Sequence, residues 1–170
     1  ELTTTVQDIE SIKNKKTGLP MVSLPDNFTS LKRLSYSGTF TGFTTDFVAY
    51  GSLTSSIGKL SVDLSIKPKE SSRVSFNGQV STNKFDLGKL LGNEIIGKTS
   101  LKATIKGNTD YKKHIEGETD ATITSFEANN YIYSNIAISG TFGSKGFIGS
   151  LFLDDPNVKL NFMGKVDLSD

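Results

Sequence analysis

The chain has 170 residues, 19 Lys and Arg against 18 Asp and Glu, and a pI near 8.1. This is one domain's worth of length, enough to bury a substantial core, and its near-balanced charge leaves no field to hold a polyanion, so nucleic acid is not an expected partner. The absence of cysteine removes disulfides, thiolate metal sites and cysteine nucleophiles together; with no apolar run near the ~18 residues of a membrane span and no signal peptide at Glu1, the chain reads as a soluble domain, mature or excised from something longer.

Glycine, serine and threonine are abundant and long helix-forming runs are missing, a composition that leans towards all-β. Residues 1–34 read as a lead-in. Glu1 to Asp8 alternates weakly, with Leu2, Thr4 and Val6 on one side of a strand, and Ile9 to Lys16 reads as a short helix or a loop. Leu24, Phe28 and Leu31 then lie at i, i+4 and i+7 behind Pro25, which predicts an amphipathic helix over Pro25 to Arg33 covering one end of a sheet.

From Ser35 the period is two. Tyr36 to Phe43 and Phe47 to Leu53 form a pair linked through Thr44, Thr45 and Asp46. Leu60, Val62, Leu64 and Ile66 oppose Lys59, Ser61, Asp63 and Ser65. Val74, Phe76, Gly78 and Val80 oppose Arg73, Ser75, Asn77 and Gln79 in the same manner. A short apolar turn spans Phe85 to Leu91, and a long strand runs from Gly97 to Lys106. The turn Gly107-Asn108-Thr109-Asp110 predicts a hairpin to Lys113–Ser125 with Lys106 opposite His114, Thr104 opposite Glu116 and Lys102 opposite Glu118,. Such pairs contribute about 0.2–1 kcal/mol each. Between Tyr131 and Phe142 the alternation slips parity, which predicts a bulge near Ser134-Asn135,. Val158, Leu160, Phe162, Gly164, Val166 and Leu168 share the last apolar phase, with Met163 out of phase. The pattern is that of an antiparallel sheet of about ten strands with one dry face and one wet face.

A motif of apolar residue, any residue, glycine, any residue, apolar residue recurs. It stands at Tyr36-Gly38-Phe40, Phe76-Gly78-Val80, Ile138-Gly140-Phe142, Phe147-Gly149-Leu151 and Phe162-Gly164-Val166. Glycine inside a strand costs about 0.5–1 kcal/mol against alanine, so its repetition on the dry phase needs a reason. One is tight curvature and another is room for a ligand or a second backbone. The fold expected is therefore a long, strongly curved antiparallel sheet with one or two short helices, an open groove or partial barrel, in one domain over residues 1–170 with the curled sheet from 35 to 170. A closed β-sandwich whose glycines relieve crowding is the alternative.

Constellations for catalysis are missing. His114 stands on the polar phase beside Glu116 and Glu118, Asp154-Asp155-Pro156 reads as a tight turn, and Lys13, Lys15 and Lys16 read as solvated loop,. Asn27-Phe28-Thr29 matches a glycosylation sequon of low specificity,. No phosphate loop, dinucleotide fingerprint or nucleophile elbow occurs. A non-enzyme with no cofactor and no metal is expected.

The order of these segments carries a resemblance. LPDNFTSLKRLSYSGTFTGFTTDFVAYGSLTSSIGKLSVDLSIKP, FNGQVSTNKFDLGKLLGNEIIGKTSLKATIKG and GSLFLDDPNVKLNFMGKVDLSD together resemble the TamB family of translocation and assembly module proteins. The likeness is to its Bacteroidota type and, more distantly, to the AsmA-like superfamily. It spans about Leu19 to Asp170. It implies an internal slice of a long periplasmic protein, anchored in the inner membrane by a segment absent from these residues, whose repeats form a taco-like sheet. It also implies a hydrophobic groove carrying phospholipid or another acyl lipid towards the outer membrane. The groove would be lined by Tyr36, Phe40, Leu60, Val62, Leu64, Ile66, Phe76, Val80, Leu101, Ile105, Ile138, Phe142, Phe147, Leu151, Leu160, Phe162 and Val166. Two other functions stay open: a scaffold for outer-membrane protein assembly beside a BamA-like barrel partner, and an adhesin-like or glycan-binding β-domain. The lack of Trp and the phase of the phenylalanines disfavour the last.

Overall fold

The computed structural model describes residues 2–11, 13, 18, 26–43, 46–69, 73–109 and 114–167. Eleven strands among them form one antiparallel sheet that is curved and does not close. They are β1 (Leu2–Thr5), β2 (Arg33–Phe43), β3 (Asp46–Ser55), β4 (Gly58–Pro68), β5 (Val74–Asp86), β6 (Ile96–Thr109), β7 (Ile115–Ala128), β8 (Tyr131–Tyr133), β9 (Ile136–Gly143), β10 (Gly146–Asp154) and β11 (Lys159–Asp167). Neighbours in the sheet follow chain order, except that short β8 and longer β9 both pair with β7. The closed sandwich is not what the chain adopts.

The period-two pattern becomes four rows of cross-strand partners, placed by backbone register on one face. The first runs Tyr36, Leu53, Leu60, Thr82, Leu101, Ile123, Ile136, Leu153, Leu160 across nine strands. The second runs Gly38, Gly51, Val62, Val80, Ala103, Ala121, Ile138, Leu151, Phe162. The third holds Phe40, Ala49, Leu64, Gly78, Ile105, Thr119, Gly140, Gly149 and Gly164. The fourth holds Gly42, Phe47, Ile66, Phe76, Gly107, Gly117, Phe142, Phe147 and Val166. Alternate residues face the other way because the side-chain period of a strand is two.

Below the first row the strand ladder slips along a line, where bulges bend strands,. In β5 the ladder shifts between Thr82 and Phe85, where Lys84 takes φ 52 and donates from its backbone N–H to Ser100 Oγ at 3.0 Å. Between β6 and β7 it shifts at Ser100/Leu101, where Thr124 of β7 is the extra residue, and between β8 and β9 the pairing lapses at Ser134 and at Asn135, with φ 54. The slip expected at Ser134-Asn135 is thus one step of a crease crossing five strands. Past it the sequence parity inverts in β5, β7 and β8 while β6 keeps it, and Phe85, Thr99, Phe126 and Tyr133 form a basal row.

Three expectations are corrected. The first strand ends at Thr5 and a helix, α1 (Val6–Ser11), begins there. Asp8 accepts from the Thr5 backbone N–H and hydroxyl at 3.0 and 2.7 Å, with the Asp8 N–H returning to Thr5 Oγ1; this reciprocal cap starts the helix before Ile9. The predicted helix over Pro25 to Arg33 is a 3-10 helix over Asp26–Leu31, and Arg33 opens β2; Leu24 and Pro25 lie outside the described residues. The β6–β7 hairpin extends further than expected, so Lys106 faces Glu118, Thr104 faces Asp120 and Lys102 faces Thr122. The reason is β5: its pairing from Phe76 to Val74 holds Gly107, Asn108 and Thr109 inside the ladder.

Packing concentrates at the base. Val6, Leu31, Leu34, Ile57 and Phe85 form a buried cluster with Ile9, Phe28, Leu53, Leu60 and Leu90 against it. α1 and α2 (Leu87–Leu91) both touch the 3-10 helix. α2 is capped by Asp86, whose side chain accepts from Lys89 N–H at 3.0 Å, and ended by Gly92 at φ 65. A second cluster, Ile123, Ile136 and Leu153 with Leu101, Phe126, Tyr133, Ile138 and Leu151, lies towards the other edge.

Candidate functional site

The seventeen residues expected to line a groove all fall on the four rows of the dry face. Their environments differ by row and by strand. Tyr36 is buried and donates its hydroxyl to the carbonyl oxygens of Tyr50 (2.9 Å) and Thr39 (3.0 Å), which pins its ring across Gly38. Leu60, Val62, Leu64, Ile66, Phe76, Val80, Leu101, Ile105, Ile138, Phe142, Phe147, Leu151 and Phe162 are half-buried. Leu160 and Val166, on the edge strand, are exposed at 48% and 42%. Substantial contacts between elements run from strand to neighbouring strand or involve the helices. Among the described residues no second layer covers rows two to four.

The glycines on this face make room for aromatic rings. The Phe76 ring lies over Gly107, its Cζ 2.8 Å from where a Cβ would stand. Phe147 lies across both Gly140 and Gly149 (2.7 and 2.8 Å), and Phe162 lies over Gly164 (3.2 Å). Gly78 has a second constraint: its φ of 150° is rare for any residue with a side chain, and a Cβ there would run into the Asp63 carbonyl oxygen,. Rings covering strand glycines remove backbone from water that the missing side chain would have left open. The result is a surface paved with phenylalanine, leucine and valine.

Several depressions among the described residues are walled largely by side chains of the opposite, polar phase. One of about 740 Å³ is walled by Lys67, Lys106, Glu116, Glu118, Asn77 and Thr141. A second of about 740 Å³ is walled by Lys102, Thr104, Asp120, Thr122, Ser139 and Phe152. A third, of about 440 Å³, holds Tyr50, Asp63, Gln79 and Lys59. Tyr50 is 63% exposed and directly opposite Asp63; its place on the wet phase was open to sequence reasoning, which passed over it. The dry face is a half-exposed apolar sheet surface.

One polar group is held tightly. Asp155, 1% exposed, accepts from the hydroxyl of Tyr131 (2.7 Å), from the backbone N–H and hydroxyl of Ser134 (2.9 and 3.0 Å), and from the backbone N–H of Asn157 (3.0 Å). These bonds, the Tyr131 hydroxyl foremost, hold its carboxyl down to about 2, and the same bond pushes the Tyr131 phenol up. The Asp154-Asp155-Pro156 turn is a turn, as expected, with Asp155 N–H on the Val158 carbonyl. Asp155 is also a latch between that turn and the crease at Ser134. Among the described residues Thr99 is the other buried polar side chain, and its Oγ1 has no partner there.

His114 is exposed and immediately precedes β7. Among the described residues no three of His, Asp and Glu gather as metal ligands, and no helix is long and apolar enough to cross a membrane. Comparison of the chain with protein-family models, curated proteins and solved structures found no match.

Proposed function

We propose that the dry face holds the acyl chains of phospholipid, and that the chain is a segment of a TamB-like periplasmic bridge between inner and outer membrane. One observation carries this reading. Rows two to four are apolar across nine strands and nothing among the described residues covers them. Large exposed apolar patches on a folded protein mark an interaction surface.

The energetics favour such a cargo. Each methylene in water costs about 0.8 kcal/mol, so two acyl chains of ordinary length cost roughly 20 kcal/mol to draw through an aqueous compartment. A surface of Phe76, Ile66, Leu64, Val80 and Ile105 offsets part of that, and its neighbours in the rows extend the path. The headgroup stays in water. No polar side chain points from rows two to four except Thr119, so nothing fixes a lipid at one place, and sliding along the rows is easy. The resemblance supplies the compartment and a BamA-like outer-membrane partner.

Native mass spectrometry after gentle purification tests this. Acyl lipid should travel with the protein, and Phe76→Glu or Phe162→Glu should strip it, because a charge on this face is costly to desolvate. Lipid retained equally by both variants refutes the reading.

A further inference from the structure

Two places in the sheet share one local arrangement. In β2, Tyr36 stands two residues before Gly38, which faces Gly51 of β3. In β10, Phe147 stands two residues before Gly149, which faces Gly140 of β9. A Cβ at Gly38 would run into the Tyr50 carbonyl oxygen and lie 2.6 Å from the Gly51 Cα and 2.8 Å from the Tyr36 hydroxyl. A Cβ at Gly149 would run into the Ser139 carbonyl oxygen and lie 2.6 Å from the Gly140 Cα and 2.8 Å from the Phe147 Cζ. The paired backbones approach in the same way, and an aromatic tip covers each pair.

What holds the ring is different. Tyr36 is 9% exposed, and its hydroxyl is tied to the carbonyl oxygens of Tyr50 and Thr39. Phe147 is half-buried and has no hydroxyl, so apolar contact alone keeps its ring down. Its Cζ takes the place over Gly149 that the Tyr36 Oη takes over Gly38. A ring held by contact alone can exchange between staggered χ1 wells, whereas one tied at its tip is fixed.

The ring covers a lane in the dry face. Gly140, Gly149 and Gly164 are neighbours in the third row and leave about 10 Å of floor without side chains across three strands. Ile138 and Leu151 of the second row bound this floor on one side, Phe142 and Val166 of the fourth on the other. Phe147 reaches into it from the fourth row and Phe162 from the second. A narrow strip with apolar walls suits a linear methylene chain.

We propose that Phe147 is a displaceable cover, and that swinging its ring off Gly140 and Gly149 opens a subsite for a single acyl chain. This rests on the lipid reading of the dry face and adds to it a place where a sliding chain lies down. Tyr36 is the fixed counterpart over the equivalent glycine pair.

Two substitutions drive the cover in opposite directions. Phe147→Tyr supplies a hydroxyl that, with the ring drawn back by one bond, meets the Ser139 and Ser150 carbonyl oxygens as Tyr36 meets those of Tyr50 and Thr39. One such bond favours the closed ring by about fivefold. Phe147→Ala removes the cover and leaves the lane open. Native mass spectrometry should find more acyl lipid on Phe147→Ala than on the parent, and less on Phe147→Tyr. A ring that merely lined the surface would give alanine the opposite sign, because its deletion removes apolar contact. Lipid loss in Phe147→Ala therefore overturns the subsite. NMR of isotope-labelled aromatic rings in the lipid-free protein reads the cover itself. Phe147 should average between χ1 rotamers, Tyr36 should hold one, and Tyr36→Phe should set that ring free. A single fixed rotamer at Phe147 overturns the cover. A parent protein that carries no lipid while the Phe147 ring averages refutes the lipid reading and leaves the cover standing.

Discussion

The base of this sheet and the face above it are built from the same alternating strands, yet they solve opposite problems. At the base, the crease inverts the phase and three short helical pieces close over Val6, Leu31, Leu34, Ile57 and Phe85, all at most 7% exposed. Above, the rows through Val62, Leu64, Phe76, Ile105 and Phe147 carry comparable apolar side chains that stay half-exposed. The difference teaches that alternation creates a dry face but does not cover it. A cover comes from irregular chain, and this chain spends its helices on one end.

The steepest test of that contrast is truncation of one phenylalanine from each region. Phe85→Ala should destabilise by about 3–5 kcal/mol, the cost of a large buried ring and its cavity, measured by denaturant unfolding. Phe76→Ala should cost only about 1–2 kcal/mol, since its ring is already partly in water. Equal losses would mean that the upper face is as well packed as the base.

Thr99 sharpens the comparison from the other side. It sits in the basal row between Phe85 and Phe126 with its hydroxyl unsatisfied. Thr99→Val should stabilise the protein by about 1 kcal/mol, because removing a buried, unpaired polar group relieves its desolvation. A loss of stability would indicate that the hydroxyl has a partner.

A further effect is expected at acid pH. Asp155 falls from an ordinary value of 3.8 to about 2 in the folded protein. A depressed carboxylate contributes stability that is fully present above the unfolded value and lost as pH falls through the folded one. The latch should therefore hold above about pH 4 and weaken from there towards pH 2. Thermal unfolding of Asp155→Asn should show a lower Tm than the parent at pH 6, with the gap narrowing by pH 2. A constant gap would place the effect outside the carboxylate's charge.

How much of this was legible follows from what a period of two encodes. It separated Leu60, Val62, Leu64 and Ile66 from Lys59, Ser61, Asp63 and Ser65, and the structure keeps them on opposite faces. It does not encode register. Any even shift of β7 against β6 keeps every face, so Gly107 and Asn108 read as a turn when they are ladder residues beside β5. The Asp155 latch was hidden because its partners, Tyr131 and Ser134, lie more than twenty residues away and meet it only through the crease. The paving of Gly140 and Gly149 by one ring was half-legible: the glycines were plain, the direction of Phe147 was not.

The account rests on the upper dry face meeting acyl chains, and site-specific photo-cross-linking tests it most directly. A photoreactive phenylalanine analogue at position 76 or 142, on the dry face, should form adducts with phospholipid. The same analogue at position 77, next along β5 but on the polar face, should form few. Adducts of equal yield from both faces, or none from the dry one, would contradict the account.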